Sequence, residues 1–489
     1  MSNLSDLIPA GSGQNNIDFV ADGAITSGKP VILNSAGTVS PISATGSPQE
    51  LGTPVTFTPG TGGSEYNSVA YDTANNKIVL AYKDNGNSNY GTAIIGTVSG
   101  TSISFGTAVV FESAHTTYCS ATYDVSTGTV LIAYQDLSNS QLGTAIVGTV
   151  SGTSISFGSP SIFGSGATLY ISSAYDSVNS KVVIAYQDYG VSTYGRAVVA
   201  TVSGTSVSFG SSVTFESAAT EYTSCAYNST DEKIVISYKD SGNSSRGTSI
   251  VGTVSGTSIS FGTAVVFNAG NSSHISSAYD SVNNKIVIAF FHWGWGGRAI
   301  VGTVSGTSIS FGSPVDINGA AGFEYSSTVY DPNSGNVVVS YKDVTNSNYA
   351  TLTVGTVSGT SVSFATPVVI QAVTSGYFSS AYDATATKIV IAYRDNTNPF
   401  YGKSVVFSPI SSNLTATNLL GIASAAILDT ATGTINTWGS RNEVQTSLTI
   451  GSDYYVQSDG TITTTSTSPA QLIGTAITAT QINIKDYTG

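Results

Sequence analysis

The sequence predicts an all-β protein, and three observations carry that prediction. One unit of 52 residues recurs seven times between residues 51 and 408. Thr, Ser, Gly, Val, Ile and Tyr dominate the composition, which is typical of short strands joined by tight turns. The apolar residues follow no 3.6-residue period, which disfavours helical repeats. A fixed period of this size indicates a solenoid, a propeller or a linear array.

Three short markers define each unit. The first is Ala-Tyr-Asp or a close variant, with its tyrosine at Tyr71, Tyr123, Tyr175, Tyr227, Tyr279, Tyr330 and Tyr382. The second is Tyr-Lys/Gln/Arg-Asp, which begins at Tyr82, Tyr134, Tyr186, Tyr238, Tyr341 and Tyr393. The third is Gly-Thr-Val-Ser-Gly-Thr-Ser, which begins at Gly96, Gly148, Gly252, Gly302 and Gly355, with Ala200 in place of the glycine in the copy between Gly148 and Gly252.

The second unit shows how one repeat folds. Turn residues separate four predicted strands, over 118–124, 129–136, 143–150 and 154–163. Four short strands in this order form an antiparallel meander, and radial repetition of such a sheet makes a β-propeller blade. A β-helix would use shorter repeats. Seven copies therefore predict a seven-bladed β-propeller.

The phase of the repeat favours a closed ring over an open array. Residues 51–57 match only the fourth strand of a unit, whereas the last unit stops after its third strand near Phe407. The N-terminal segment is therefore expected to supply the missing outer strand of the last blade. Such an exchange removes the unpaired edges that an open array would leave.

Residues 1–50 and 409–489 lie outside the repeats but are similar to each other. Residues 25–39 read like residues 448–462, and the continuation of the second copy at 472–477 matches residues 419–424. The sequence thus predicts a small duplicated β-barrel or sandwich domain. We expect the propeller, residues 51–408, to be inserted between two strands of the first half of this domain. Such insertions are tolerated where chain ends meet at a surface.

These flanks also carry a family resemblance. The pattern Ile-Thr-x-Gly-Lys-Pro-Val-x-Leu-Asn from Ile25, with Leu-Leu-Gly-Ile-Ala from Leu419 and Tyr-Tyr-Val-Gln-x-Asp-Gly-Thr-Ile from Tyr454, resembles small β modules of tailed-bacteriophage virion proteins. Such modules occur in capsid decoration or head-fibre proteins and in tail-fibre proteins. The resemblance implies a virion structural role, with residues 1–50 and 409–489 docking on a major capsid or tail protein.

Charge and composition exclude several function classes. The net charge of −13 argues against nucleic acid or an anionic membrane as a partner. No apolar run is long enough to span a membrane, and the first residues lack the features of a signal peptide. We therefore expect the protein to be made and kept in a cytoplasm or released by lysis. The resemblance to virion proteins implies that this is a host cytoplasm and that the protein's place is in the virion. Cys119 and Cys225 lie two units apart, which predicts free buried thiols.

The two faces of the predicted propeller differ in sequence. The turns from first to second strand and from third to fourth strand barely vary between units, and they form the uniform face. The loops from second to third and from fourth to first strand hold nearly all the variation, and they form the variable face. Because the chain enters at residue 50 and leaves after residue 408 on the uniform face, we expect the flanking domain on that side. The variable face is then the display surface.

Candidate ligand-binding residues lie on this variable face. The fifth unit replaces the usual Tyr-x-Asp with Phe290-Phe291-His292 and continues with Trp293-Gly294-Trp295. Exposed tryptophans stack well on sugar rings, so the sequence predicts a glycan contact here. The alternative is that the shortened loop buries its indoles against neighbouring blades. Tyrosines in four other variable loops complete the predicted surface: Tyr90, Tyr194, Tyr349 and Tyr401.

The aspartates that end the second strands have two interpretations. A ring of carboxylates could bind cations, but an Asx turn at each loop start is the preferred one. These residues are Asp84, Asp136, Asp188, Asp240, Asp343 and Asp395. With the Asx-turn interpretation preferred, we expect no cofactor and no resident metal.

No catalytic motif is found in the sequence. His115, His274 and His292 are the three histidines, and no nucleophile arrangement accompanies them. We therefore predict a non-enzymatic virion protein, most simply a capsid decoration or head-fibre protein that displays its propeller outward for weak adhesion to a host-surface glycan. The alternatives are a receptor-binding tail-fibre or lectin-like adhesin and a glycan-cleaving propeller enzyme.

Overall fold

A computed structural model describes residues 15–34, 36–42, 49–58, 60, 62–317, 322–397, 400–409, 414, 418–457, 460–465 and 471–485. The chain divides into two compact units. The repeat region is Glu50–Pro409, and the flanking unit combines Met1–Gln49 with Ile410–Gly489. Both are built from antiparallel strands, and within the described ranges the one helical segment is the short 3-10 turn Tyr189–Val191. Nor do those ranges contain a helix long and apolar enough to cross a membrane.

The second strand of each repeat is the most deeply buried element. In Thr129–Asp136 every residue is buried, because Val130, Leu131 and Ile132 present β-branched or apolar side chains to sheets on both sides. The seven second strands are Lys77–Asp84, Thr129–Asp136, Lys181–Asp188, Lys233–Asp240, Lys285–His292, Asn336–Asp343 and Lys388–Asp395.

The third strand pairs with the second strand and continues beyond it. Its C-terminal end forms a hairpin with a short strand, as in Ser151 opposite Ser154. The seven third strands are Tyr90–Ser99, Leu142–Ser151, Tyr194–Ser203, Arg246–Ser255, Gly296–Ser305, Tyr349–Ser358 and Tyr401–Ser408. The short partners are Ser102–Phe105, Ser154–Phe157, Ser206–Phe209, Ser258–Phe261, Ser308–Phe311 and Ser361–Phe364.

The outer strand is interrupted, which corrects the prediction of one strand over 154–163. In the second repeat Ser154–Phe157 ends before Gly158, and pairing with the third strand resumes at Ser161. A Cβ atom on Gly158 would lie 2.0 Å from the carbonyl oxygen of Thr205 in the next repeat. The break therefore lets the hairpin of the neighbouring repeat approach the backbone closely.

A second correction concerns the connection from outer to inner strand. It is a continuous 16-residue strand rather than a loop, because its first half pairs with the third strand of one repeat and its second half with the second strand of the next. These strands are Val109–Asp124, Ser161–Asp176, Val213–Asn228, Val265–Asp280 and Val368–Asp383. At the two other junctions the halves are separate, as Val55–Thr56 and Ser64–Asp72 and as Val315–Asp316 and Phe323–Asp331.

The hydrophobic cores lie between successive sheets. One core joins Val79 and Ile95 of the first repeat to Val130 and Ile132 of the second, and equivalent cores follow along the chain. A further core joins Val390 of the last repeat to residues of the first repeat such as Ile78. The repeats therefore close on themselves.

The predicted strand exchange at this closure is confirmed. Leu51 pairs with Phe407, and Val55 pairs with Ser404, so the N-terminal segment forms the outer strand of the last repeat. On the inner strands, the Tyr71 hydroxyl donates to Thr385 Oγ1 at 2.7 Å across the same junction. The closing junction is thus bonded at both its outer and inner edges.

The flanking unit contains two five-stranded sheets with the same strand order. The first is Asn16–Val20, Thr432–Asn436, Leu419–Ala423, Pro30–Leu33 and Val39–Pro41. The second is Arg441–Asn442, Ile482–Ile484, Gln471–Ala476, Asp453–Val456 and Ile462–Thr463. In the chain, the repeat region follows the hairpin strand Val39–Pro41 and precedes Leu419–Ala423. The shared strand order of the two sheets matches the similarity between the two halves of the flanking sequence.

Candidate functional site

The loops of the variable face begin with a turn that recurs from repeat to repeat. The Asp84 side chain accepts from the backbone N–H of Gly86 at 3.0 Å, and five equivalent aspartates bond the backbone in the same way. The preferred Asx-turn interpretation of these carboxylates is confirmed. The described residues contain no group of three or more His, Cys, Asp or Glu side chains arranged to hold a metal ion.

The four predicted tyrosines occupy one equivalent position in four repeats. Tyr90, Tyr194, Tyr349 and Tyr401 each open a third strand opposite the Asx-turn aspartate, and each is half-buried. Leu142, Arg246 and Gly296 stand there in the other repeats. No ring contact between any two of these tyrosines occurs in the described part of the chain. They mark separate points around the face rather than one pocket.

The tryptophan loop of the fifth repeat is exposed. Trp293 and Trp295 each keep 64% of their surface accessible, so the alternative in which the indoles are buried against neighbouring repeats is not what the fold adopts. The Arg298 guanidinium lies 5.4 Å from the Trp295 ring and is itself held by Asp316 at 2.8 Å. His292 lies 6.2 Å from Trp295, and burial lowers the pKa of its imidazole. His292 is therefore a neutral neighbour of the indoles.

A second aromatic surface, which sequence reasoning missed, lies at the centre of the ring of inner strands. Seven side chains, one from each repeat, contact their neighbours in a closed circle: Tyr66, Tyr118, Tyr170, Tyr222, His274, Tyr325 and Tyr377. Neighbouring ring centroids are 4.8 to 5.3 Å apart, which makes the circle about 12 Å across. All seven side chains are partly exposed to a central cavity of about 370 Å³. We call these residues the aromatic ring.

A β-bulge places the aromatic ring. In the first repeat the pairing of inner and second strands shifts between Glu65 and Ser68, so Tyr66 and Asn67 together oppose the single residue Tyr82, and both line the cavity. The same shift recurs in the other six repeats. Bulges re-aim side chains and are frequent beside functional sites.

The backbone at the aromatic ring is strained. All seven residues have φ between 48° and 54°, a left-handed conformation that disfavours large side chains by about 1–2 kcal/mol each. Glycine or asparagine would relieve that cost. Strain of this kind is concentrated at functional sites, so the ring is a candidate site in its own right.

Ion pairs surround the mouth of the cavity on the variable side. Lys83, Lys239 and Lys342 bond Glu65, Glu221 and Glu324 at 2.9, 3.0 and 2.9 Å, and Arg394 also pairs with Glu65. Lys239 and Lys342 each stand within 6 Å of a ring tyrosine, and Arg394 stands 6.0 Å from Tyr377. Burial raises the pKa of Glu65, but the bonds to Lys83 and the charge of Arg394 outweigh it, so the pKa is lowered and the carboxylate stays ionised.

The protonation states in the aromatic ring follow from burial. Desolvation raises the pKa of Tyr66, Tyr118, Tyr170, Tyr222 and Tyr377, so these hydroxyls remain donors at neutral pH. Burial lowers the pKa of His274 to about 4. Its Nδ1 accepts from the Tyr325 backbone N–H at 3.1 Å, so in the neutral imidazole the proton sits on Nε2.

A signal for the aromatic ring is present in the sequence. An aromatic residue stands five positions before the tyrosine of every Ala-Tyr-Asp marker, as Tyr66 does before Tyr71. Strand alternation alone gives Tyr66 and Asn67 opposite faces, whereas the bulge turns both into the cavity. The marker tyrosines also contact neighbouring repeats, since the Tyr123 hydroxyl accepts from the Ala74 backbone N–H at 3.2 Å. Cys119 and Cys225 are free, as expected, and Cys119 lines the cavity.

Two solved structures are similar to this chain over most of its repeat region. The BP39L lectin from Burkholderia pseudomallei superposes with a TM-score of 0.52 at 10% identity, over 72% of this chain and 99% of the lectin. The Cps50 (Swd1) beta-propeller domain from Myceliophteria thermophila superposes with a TM-score of 0.48 at 9% identity, over 72% and 98% of the two chains. The strand pairing and the closing core described above make the repeat region a β-propeller.

Sequence comparisons add little. The family model described as the NUMOD3 motif matches residues 383–405. These residues form the end of an inner strand, the strand Lys388–Asp395 and the start of Tyr401–Ser408, whose counterparts recur in the other repeats, so the match assigns no family. No protein of curated function matches the sequence.

Proposed function

We propose that the protein is a non-enzymatic tailed-phage virion protein whose propeller binds a host-surface glycan. In this proposal the propeller has seven blades, one for each repeat, and is inserted into a duplicated β domain. That domain, residues 1–50 and 409–489, docks on a major capsid or tail protein. The observation that carries the binding function is the pair of exposed indoles at Trp293 and Trp295.

The side chains of the tryptophan loop are better suited to binding a sugar than to catalysing its hydrolysis. An indole offers an apolar face for the C–H side of a pyranose and an N–H for its hydroxyls. Arg298 stacks on Trp295 and limits its movement, which lowers the entropic cost of binding. The nearest titratable groups, His292 and the Arg298–Asp316 pair, form no acid and base pair of the kind that glycoside hydrolysis needs.

The docking role is supported by the flanking unit. Its two sheets share one strand order, and its sequence carries the resemblance to virion modules. Within the propeller, Glu50 pairs with Ser408, so the chain enters and leaves at adjacent points. Both points lie at the end of the third strand, which is the edge opposite the variable loops.

A receptor-binding tail-fibre or lectin-like adhesin is the second candidate. The observation that favours it is the likeness to the Burkholderia pseudomallei protein, which its title describes as a lectin. The two candidates share the glycan contact and differ in the place and number of copies. Immunogold labelling of phage particles separates them, since many copies on the head indicate decoration and a few at the tail tip indicate adhesion. Presence in a bacterial envelope without virus would refute both.

Binding is tested on a glycan array with the full chain. We expect Trp293→Ala and Trp295→Ala each to lower the signal at least tenfold, because each removes a stacking surface. Trp438→Ala, which changes a 44% exposed tryptophan of the flanking unit, is the matched control and keeps the signal. An array signal unchanged by both loop variants contradicts the assigned site. Release of reducing sugar from host polysaccharide would instead identify an enzyme.

A further inference from the structure

We propose that the central cavity bounded by the aromatic ring binds a neutral saccharide unit at a site separate from the tryptophan loop. The ligand class rests on the proposed glycan-binding function, but the site rests on different residues. Six tyrosines and His274 enclose a cavity of about 370 Å³ on the propeller axis. This volume falls within the range of small-molecule sites, about 300–1,000 Å³.

The position of the cavity makes it accessible from the variable face. Ser64 pairs with Asp84, which opens the variable loop of the first repeat, and Tyr66 follows two residues along the inner strand. The aromatic ring therefore lies just inside the loop edge. A glycan held at that face can extend a terminal residue into the cavity.

The chemistry of the lining favours a ligand with hydroxyl groups. A phenol hydroxyl can both donate and accept a hydrogen bond, burial keeps those of Tyr66 and Tyr170 protonated, and His274 adds an Nε2–H donor. The tilted ring faces provide apolar surface for C–H groups. Below the ring, Asn67 Oδ1 is buried and accepts no hydrogen bond from the described part of the chain, whereas its Nδ2 donates to the Tyr377 carbonyl at 2.9 Å.

The charges at the mouth favour a neutral ligand. Lys83, Lys239, Lys342 and Arg394 are each paired with a glutamate. The aspartates of the variable loops are occupied by backbone N–H groups, as Asp84 is by Gly86. A charged sugar would therefore meet groups that already have partners, whereas a neutral sugar needs no counter-ion.

The backbone strain argues for a role beyond filling space. A bulge at this position needs a positive φ, which glycine or asparagine adopts at little cost. An aromatic side chain stands there in all seven repeats, at φ values of 48° to 54°. Every repeat therefore keeps a strained aromatic residue at the position that faces the shared cavity. This is expected if the cavity holds a ligand.

Saturation-transfer NMR on the full chain tests the proposal. The probes are the methyl glycosides of glucose, galactose, mannose and N-acetylglucosamine, with the methyl glycosides of glucuronic acid, galacturonic acid, mannuronic acid and glucosamine as their respective charged counterparts. We expect transfer to at least one neutral glycoside and at least tenfold weaker binding of its charged counterpart. Absence of transfer to all four neutral glycosides overturns the proposal, as does equal binding of the charged sugars.

Two ring variants locate the contact. Tyr170→Gly and Tyr325→Gly each remove a ring where glycine suits the positive φ, so both variants are expected to fold. Each should weaken the neutral glycoside at least tenfold, and Tyr170→Phe should weaken it less because the ring face remains. Trp293→Ala with Trp295→Ala should leave this binding unchanged. If only the tryptophan variants abolish binding, the central site is wrong while the proposed function stands.

Loss of binding in a misfolded variant is separated by a second measurement. Each glycine variant is compared with wild type by melting temperature and by elution volume. A variant that melts like wild type and binds the glycoside with unchanged affinity overturns the assignment of its tyrosine. Two results together would refute both the proposed function and the central site. They are glycan-array binding that no variant lowers and the absence of saturation transfer to every glycoside.

Discussion

The aromatic ring and the tryptophan loop are two aromatic surfaces of one propeller, and they arise in opposite ways. The aromatic ring takes one residue from each repeat, so it exists because the repeats are alike. The tryptophan loop exists because the fifth repeat departs from the others at His292, Trp293 and Trp295. Repetition therefore builds a shared site on the axis, whereas divergence builds a local site on one loop.

The two surfaces also differ in what holds them. The tryptophan loop depends on contacts within one repeat, among them Phe291 to Trp293 at 5.8 Å and Arg298 to Trp295 at 5.4 Å. The aromatic ring depends on closure, because Tyr66 must meet both Tyr118 and Tyr377. Changes at the closing junction should therefore affect the ring and spare the loop.

The largest effect is expected for Phe57→Ala. Phe57 lies on the closing outer segment, is 3% exposed, and packs edge-on against Tyr82 at 5.2 Å. Its removal should lower the free energy of unfolding of the repeat region by about 3–5 kcal/mol, since a buried aromatic leaves a cavity. Urea unfolding followed by circular dichroism measures it. Phe400→Ala, at a 41% exposed position, is the control. A loss below about 1 kcal/mol would show that this segment does not hold the ring closed.

An intermediate effect is expected for His274→Tyr at acid pH. The folded state holds the pKa of His274 near 4, whereas the ordinary value is about 6.5. Between these values the unfolded chain binds a proton that the folded chain does not, so wild type loses stability as pH falls from 6.5 to 4. The variant, which places the tyrosine of the other repeats there, lacks that loss. Its advantage should reach on the order of 3 kcal/mol at pH 4.

Urea midpoints of both proteins, recorded at pH 7 and at pH 4, measure this effect. The two charged neighbours of His274 oppose each other, since Glu324 raises and Lys342 lowers its pKa, so burial remains the main cause. Parallel pH profiles for wild type and variant would contradict the buried, neutral state of His274.

The smallest effect on stability is expected for Trp293→Ala. The side chain is 64% exposed, and its contact with the Phe291 side chain lies within its own repeat. Surface substitutions of this kind change stability by less than about 0.5 kcal/mol. The same urea experiment measures it. A loss several times larger would mean that the tryptophan loop supports the fold, and would weaken its assignment as a binding surface.

Most of the repeat fold was accessible to sequence reasoning, because its signals are local. The apolar run at Val130 to Ile132 predicts a buried strand, and the Gly-Thr turn at Gly152 predicts a hairpin, since glycine alone adopts its φ of 60° without strain. The phase of the 52-residue repeat predicts the closing segment, since residues 51–57 match the outer strand that the last repeat lacks. The tryptophans were found because they break the repeat.

The errors arose where one repeat meets the next. The interruption at Gly158 reflects the approach of Thr205 from the following repeat, and no signal within one unit reports that approach. The continuous strand Val109–Asp124 was divided in the prediction because its two halves pair with different sheets. The aromatic ring was missed for the same reason, since Tyr66 gains its neighbours only when the circle closes.

The sequence by itself determined the all-β class, the period, the four-stranded unit, the closing strand and the place where two tryptophans break the repeat, whereas the exposure of those tryptophans came from the structure. These follow from local patterns of turn residues and apolar side chains. Only the tertiary structure decided that seven strained aromatic residues face one cavity. The bulge that turns Tyr66 and its equivalents inward is set by pairing between strands, and the circle they form is set by the closure of all seven repeats.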